Sequence, residues 1–267
     1  MLDILVNIDE MRDDAMAIQM GLALAARHGA FATGLRIVDA YALAISIPGG
    51  VAVLDAEERE AQAQDAWWLE LCRRHGVAGA WEVIRGIYVP VLARRSCMAD
   101  LTISSAPAAT DDFIVGMDSI TRVLLSGASP MLLVPPAWKG SRSPGRILVA
   151  WNSTVGSMRA LRAALPFLRE AEQVCIVDGS RDEVPGLAPP PLPLADWLRR
   201  RGARRHAIKP LAVSSHAGEA LLDEADRMDA DLLVMGAWGH SRIGEWVLGG
   251  ATRHVLRKAA LPVLLAH

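Results

Sequence analysis

Apolar positions along this chain follow two spacings in turn. Unbroken runs such as Ile4-Leu5-Val6, Met131-Leu132-Leu133-Val134, Ile147-Leu148-Val149 and Leu232-Leu233-Val234-Met235 are too short for helices and read as strands buried on both faces. Longer stretches between them place apolar residues at helical intervals, as Met16, Met20, Leu22 and Leu24 do within residues 12–28 before Gly29 stops the helix. The pattern predicts strands over 3–8, 31–38, 81–84, 100–103 and 131–134, and again over 146–151, 173–177, 205–211, 232–235 and 263–265. Helices are predicted over 12–28, 57–75, 89–95 and 119–125, then over 156–172 with a break at Pro166, and over 194–201, 218–228 and 253–259. Residues 39–54 read as an irregular connection, and the proline-rich stretch 181–193 as a surface loop.

The cycle runs twice. Ile4-Leu5-Val6 is answered by Ile147-Leu148-Val149, and Thr121-Arg122-Val123-Leu124-Leu125 with the following Pro130-Met131-Leu132-Leu133-Val134 by Thr252-Arg253-His254-Val255-Leu256 with Pro262-Val263-Leu264-Leu265. Strands alternating with helices make an α/β, doubly wound parallel sheet by the right-handed crossover rule. Two such sheets in tandem are expected, as domains 1–138 and 146–267 joined by a linker over 139–145.

Composition narrows the classes. With 52% hydrophobic and 22% charged residues the chain has ample core material, and a formal net charge of −2 argues against a general nucleic-acid binder. Cys72, Cys97 and Cys175 lie far apart without a Cys-x-x-Cys, which suits small core residues in a reducing compartment. The opening residues lack a signal-peptide pattern and no run reaches membrane-helix length, so the expected location is cytoplasmic, with no membrane partner. His206 and His216 have no metal-ligand spacing, so no protein-bound zinc is expected.

The candidate chemistry sits in the last strand-helix unit. After Met235 the chain runs Gly236-Ala237-Trp238-Gly239, then a spacer from His240 to Leu248, then Gly249-Gly250-Ala251-Thr252 at a helix start. Glycines let backbone amides come close to a ligand, and the first turn of a helix favours an anion, by roughly 0.3–1 kcal/mol for the dipole alone. A phosphate suits such a loop. Ligands in an open parallel sheet gather at the carboxyl ends of the strands, where Ala150, Trp151, Asn152, Val177 and Asp178 also fall.

Gly236-x-x-Gly239, nine residues, then Gly249 and a small residue resembles the nucleotide loop of the universal stress protein family, and the resemblance covers essentially the whole chain as a tandem two-domain member. It implies an adenine-nucleotide α-hydrolase-like, Rossmann-like fold with strand order 3-2-1-4-5, and pairing of the final strands Met131–Val134 and Val263–Ala266. It implies ATP, with any Mg2+ arriving on its phosphates, held by Ala150, Trp151, Asn152, Val177, Met235, Gly236, Gly239, Gly249, Gly250, Ala251 and Thr252. This chain departs from the pattern at Gly250, where ATP-binding members carry a hydroxyl and Thr252 is the nearest substitute, and at Asn152, where an aspartate is common. In the first half Asp9 and Val38 take the nucleoside positions, but Pro107, Asp111 and Asp112 stand where the glycine loop would be, so that half is expected to have lost the site. No Walker loop or nucleophile elbow is present and no candidate general base adjoins the loop. The leading expectation is a non-catalytic ATP-binding stress or regulatory protein. Slow ATP hydrolysis, or a nucleotide-free scaffold that docks a partner protein or forms a homodimer, are the alternatives.

Overall fold

The computed structural model describes residues 2–40, 49–106, 119, 122–124, 126, 129–180, 192–211, 216–237 and 250–267. The chain divides into two compact units, Met1–Ala137 and Trp138–His267. The first contains β1 (Asp3–Asn7), α1 (Met16–His28), β2 (Phe31–Asp39), α2 (Gly50–Gln62), α3 (Asp65–Arg74), β3 (Gly79–Gly86), α4 (Tyr88–Ser96), β4 (Leu101–Ser105) and β5 (Met131–Val134). Its strands are parallel in the order β3-β2-β1-β4-β5. The second contains β6 (Arg146–Trp151), α5 (Val155–Ala163), α6 (Leu165–Glu170), β7 (Gln173–Asp178), α7 (Leu194–Arg200), β8 (His206–Pro210), α8 (Ala217–Arg227), β9 (Leu232–Gly236), α9 (Gly250–Lys258) and β10 (Val263–Ala266). Its parallel order is β8-β7-β6-β9-β10, so each unit is a doubly wound α/β sheet of order 3-2-1-4-5.

The apolar runs are strands because helices cover both faces of each sheet: β5 and β10 are buried at every position. A carboxylate pins the start of each unit's first strand. Asp100 accepts from the N–H groups of Leu2 (2.5 Å) and Asp3 (3.1 Å), and Asp231 accepts from those of Gly145 (2.9 Å) and Arg146 (2.9 Å). Both aspartates stand just before the strand that pairs with that first strand, β4 in one unit and β9 in the other. The repeat therefore extends to a polar staple.

Three expectations change. The helix read over 57–75 is two helices, because the chain breaks at Ala63-Gln64, and α2 starts earlier, at Gly50 behind Gly49 at φ 85°. The two-helix arrangement lets Trp68 lie against Gly34, where an added Cβ would meet its ring at 2.7 Å, with Trp67 and Trp81 tilted against it. The break expected at Pro166 is present: it divides 156–172 into α5 and α6, with Pro166 in the first turn of α6 where its missing N–H costs nothing. Cys72 and Cys175 are buried, and burial pushes the Cys72 thiol up to about 11, but Cys97 is exposed.

Candidate functional site

The second unit's chain runs β6, β7, β8 toward one edge and then returns to β9 and β10 on the other side of β6. The strand order therefore reverses between β6 and β9, which is where an open parallel sheet leaves a crevice at its carboxyl ends. The register sets Val177, Ala150 and Met235 abreast on three adjacent strands, with Asp178 and Trp151 one step further out. Residues distant in sequence thus form one row.

Asn152 follows β6 and turns the chain into α5. Its Oδ1 accepts from Thr154 Oγ1 (2.7 Å) and the Thr154 N–H (3.4 Å), while Thr154 Oγ1 accepts from the Ser157 N–H (3.2 Å) as the helix N-cap. Ser153 takes φ 59°, in the left-handed region, and its Oγ shares a hydrogen bond of 2.9 Å with Ser180 Oγ. Ser180 N–H donates to Asp178 Oδ1 (2.8 Å) and Gly179 N–H to the Trp151 carbonyl (2.8 Å). These bonds hold the ends of β6 and β7 together. Beside them a cavity of 290 Å³ is lined by Trp151, Ser153, Asp178, Leu194 and Ile208, among others.

The glycines separate by role. At Gly236 an added Cβ would meet the backbone of Gly156 and Ser157, each at 2.8 Å, so its bare face holds the first turn of α5 and is not open to a ligand. That corrects the reading of Gly236 as a point of close ligand approach. Among the described residues an added Cβ at Gly250 meets nothing within 4 Å. Ala251 is half-buried, whereas Thr252 is buried on the side of α9 that also carries Val255 and Leu256, so it does not replace the missing hydroxyl. Gly239 and Gly249 lie outside the described residues, as do Trp238, His240, Ser241, Arg242 and Trp246 of the spacer.

The first unit fills the corresponding strand ends with its own side chains. Asn7 is buried, and its Nδ2, with two N–H groups to share, lies within hydrogen-bond distance of Asp9 Oδ1 (3.0 Å), Tyr88 OH (2.8 Å) and Ser104 Oγ (3.1 Å). Arg36 Nη1 donates to the carbonyls of Ile8 (3.2 Å) and Asp9 (2.6 Å). Burial raises the Asp9 carboxyl above the usual carboxylate range, against the Asn7 hydrogen bond and the Arg36 charge. A cavity of 300 Å³ opens there, lined by Asp9, Glu10 and Asp14 and by Arg12, which pairs with Glu10 and Asp14. Its acidic lining opposes a phosphate. Asp111 and Asp112 fall outside the described residues, as does Pro107.

The sequence model of the universal stress protein family matches residues 144–267. Over that span the sequence is similar to the universal stress protein family. A curated universal stress protein of Synechocystis sp. is 28% identical over 148 residues, 55% of this chain, and the chain spans about half (50%) of that relative's length. A solved universal stress protein from Archaeoglobus fulgidus DSM 4304 matches with a TM-score of 0.71 at 17% identity, over 99% of this chain and 95% of that one. A functionally unknown protein of Pseudomonas aeruginosa PAO1 matches with a TM-score of 0.60 at 14% identity, over 99% and 92%. At these identities the likeness is one of fold, and the universal-stress fold runs through both units.

Sequence reasoning missed two features of the universal-stress unit. The Ser153, Thr154 and Ser180 cluster is one, although a threonine between an apolar strand and a helix is an N-cap signal. The net charge of −2 also concealed five arginines within 199–205. Among the described residues no group of three or more His, Cys, Asp or Glu side chains is arranged to hold a metal, and no helix is long and apolar enough to cross a membrane.

Proposed function

We propose that this stress-family chain binds ATP at the carboxyl ends of β6, β7 and β9 and works by binding, with no catalytic step of its own. One observation carries the reading: the family match covers the unit in which Val177, Ala150 and Met235 stand abreast at the strand-order reversal, with the Gly-x-x-Gly, nine-residue, Gly pattern following directly. The 290 Å³ cavity beside Trp151 and Asp178 is near the lower end of small-ligand sites and offers apolar walls with a few polar groups, which suits a purine. Asn152 keeps its Nδ2 as a donor toward the crevice mouth, since among the described residues only its Oδ1 is engaged. The α9 start supplies backbone amides and the positive end of a helix dipole for phosphates. Any Mg2+ is carried in by the nucleotide, bound chiefly to its phosphates. The first unit's acid-lined cavity argues for a single site in the second.

Because a side chain at Gly250 has room, Gly250→Asp is the informative variant: it keeps the fold, favours the helix start, and sets a carboxylate against the phosphates. Nucleotide released from the heated wild-type protein, with a thermal shift on adding ATP, and both lost in Gly250→Asp, are the expected results. A wild-type protein that neither carries nucleotide nor shifts with millimolar ATP overturns the proposal. Phosphate release above buffer that Gly250→Asp abolishes would replace binding with slow hydrolysis.

A further inference from the structure

The outer edge of the second unit's sheet is built differently from that of the first. β8 is the last strand of its sheet. Val174 N–H donates to the Arg205 carbonyl (3.0 Å) and Leu211 N–H to the Asp178 carbonyl (2.8 Å). The alternation of a ladder then turns the backbone groups of Arg205, Ala207, Lys209 and Leu211 toward β7, and those of His206, Ile208 and Pro210 outward. Pro210 therefore removes no ladder bond, as expected of a proline on an edge. The N–H groups of His206 and Ile208 and the carbonyls of His206, Ile208 and Pro210 face away from the sheet, and no described residue forms a ladder with them. Among the described residues no side chains close this edge either: Ala207, Ile208 and Pro210 are exposed, Ile208 to 41%.

Charge gathers at the same place. Arg199 pairs with Asp196 and Arg201 lies over the Trp197 ring at 5.6 Å, but Arg200, Arg204 and Arg205 are exposed and have no ion-pair partner among the described residues. A cavity of 490 Å³ adjoins the strand, lined by Cys175, Arg204, Arg205, His206, Lys209 and Met228, among others. Two carboxylates reach it, Glu172 and Glu224, and Glu224 is already held between Lys209 and Arg227. The first unit's edge strand β3 is the contrast. Its Glu82 is bound by Arg95 through two bonds (2.6 and 2.9 Å) and its Arg85 by Asp55 (2.6 Å), so its charges are matched within the unit.

We infer that β8 is a docking edge for an extended acidic segment of a partner protein, which adds to the sheet as a further strand. The outward backbone groups of His206, Ile208 and Pro210 hydrogen-bond its main chain, and Arg200, Arg204 and Arg205 meet its carboxylates. The two recognition elements select for peptide together: a main chain is needed for the edge, acidic side chains for the arginines. Nucleic acid satisfies only the second, and three unpaired arginines are fewer than the roughly six to ten phosphate contacts of a typical duplex binder.

The test uses the full chain and a fluorescein-labelled peptide of about six residues alternating glutamate and valine, the length of a common strand. Fluorescence anisotropy should show binding that weakens with salt, and a lysine-valine peptide should not bind. Methylating every peptide amide keeps the charge and blocks the main chain, so it should reduce affinity at least about tenfold. The double variant Arg204→Glu, Arg205→Glu changes two exposed side chains and should also lose about tenfold, with an unaltered thermal unfolding curve as the folding control. Failure of the glutamate-valine peptide to bind overturns the proposal. So does equal binding of the methylated peptide, or tighter binding of a DNA oligonucleotide of the same charge, either of which would make this edge a purely electrostatic surface.

Discussion

A methyl group placed on Gly236 would sit 2.8 Å from two backbone atoms at the start of α5, closer than side-chain adjustment can relieve, whereas one placed on Gly250 meets nothing within 4 Å among the described residues. Gly236→Ala is therefore expected to destabilise the protein by about 1–3 kcal/mol, the range for overpacking, and Gly250→Ala to stay within about 0.5 kcal/mol of wild type or to gain. Urea unfolding of the two variants separates them, and equal midpoints would refute the packing account. Gly250→Ser restores the hydroxyl that ATP-binding members of the family carry. If the nucleotide reading holds, that single donor to a charged phosphate should raise ATP affinity by about tenfold, measured by titration calorimetry. The residue types at both positions were readable in the sequence, but what each glycine faces was not, because the first turn of α5 lies some eighty residues upstream of Gly236.

Single elements are secured by local polar contacts. Thr154 caps α5 through Ser157 N–H, so Thr154→Ala should cost about 0.5–2 kcal/mol and Thr154→Ser much less, as read by chemical denaturation. The two aspartate staples should respond to pH with opposite signs. Hydrogen bonds from the Leu2 and Asp3 backbones hold the Asp100 carboxyl below its ordinary value, the Leu2 bond contributing most. Its stabilising contribution is present above the unfolded carboxyl pKa of about 3.9 and is lost as pH falls through the lower folded value. Burial instead raises the Asp231 carboxyl despite its bonds from Gly145 and Arg146. That contribution is full below about pH 3.9 and is lost as pH rises through the higher folded value. The cost of Asp100→Asn should accordingly grow between about pH 3 and 5, and that of Asp231→Asn should shrink as pH rises above about 4. Denaturant midpoints across that range that move in parallel would contradict this assignment. Most element positions follow from apolar spacing. The break at Ala63-Gln64 does not, since no glycine or proline marks it and the surrounding residues favour helix.

Across the whole molecule the two units share a strand order but carry different surfaces at their carboxyl ends: a hydroxyl-lined crevice beside an apolar cavity in the second, and an acid-lined, internally bonded cluster in the first. ATP should therefore protect backbone amides in one unit only. Hydrogen exchange with and without ATP at about 100 times its Kd should slow around residues 150–152, 177–180 and 250–252, with a gain of about 2.7 kcal/mol in the stability of the binding unit, and should leave residues 3–9 and 101–105 unchanged. Protection in the first unit instead would place the ligand in the acid-lined cavity and refute the assignment.

Apolar spacing determined the two cycles, the class of each sheet and the central strands such as β1, β5, β6, β9 and β10, because a strand buried on both faces is written as a nearly unbroken apolar run. The loop pattern also marked which cycle carries the candidate chemistry. Tertiary structure decided the rest: that Val177, Ala150 and Met235 form one row, that Thr252 turns into the core, that Gly236 is occupied by a helix backbone, and that Asp9 accepts hydrogen bonds from Asn7 and Arg36. Each of these depends on which backbone arrives opposite a given residue across the sheet, and spacing along one strand carries no information about its neighbour's register.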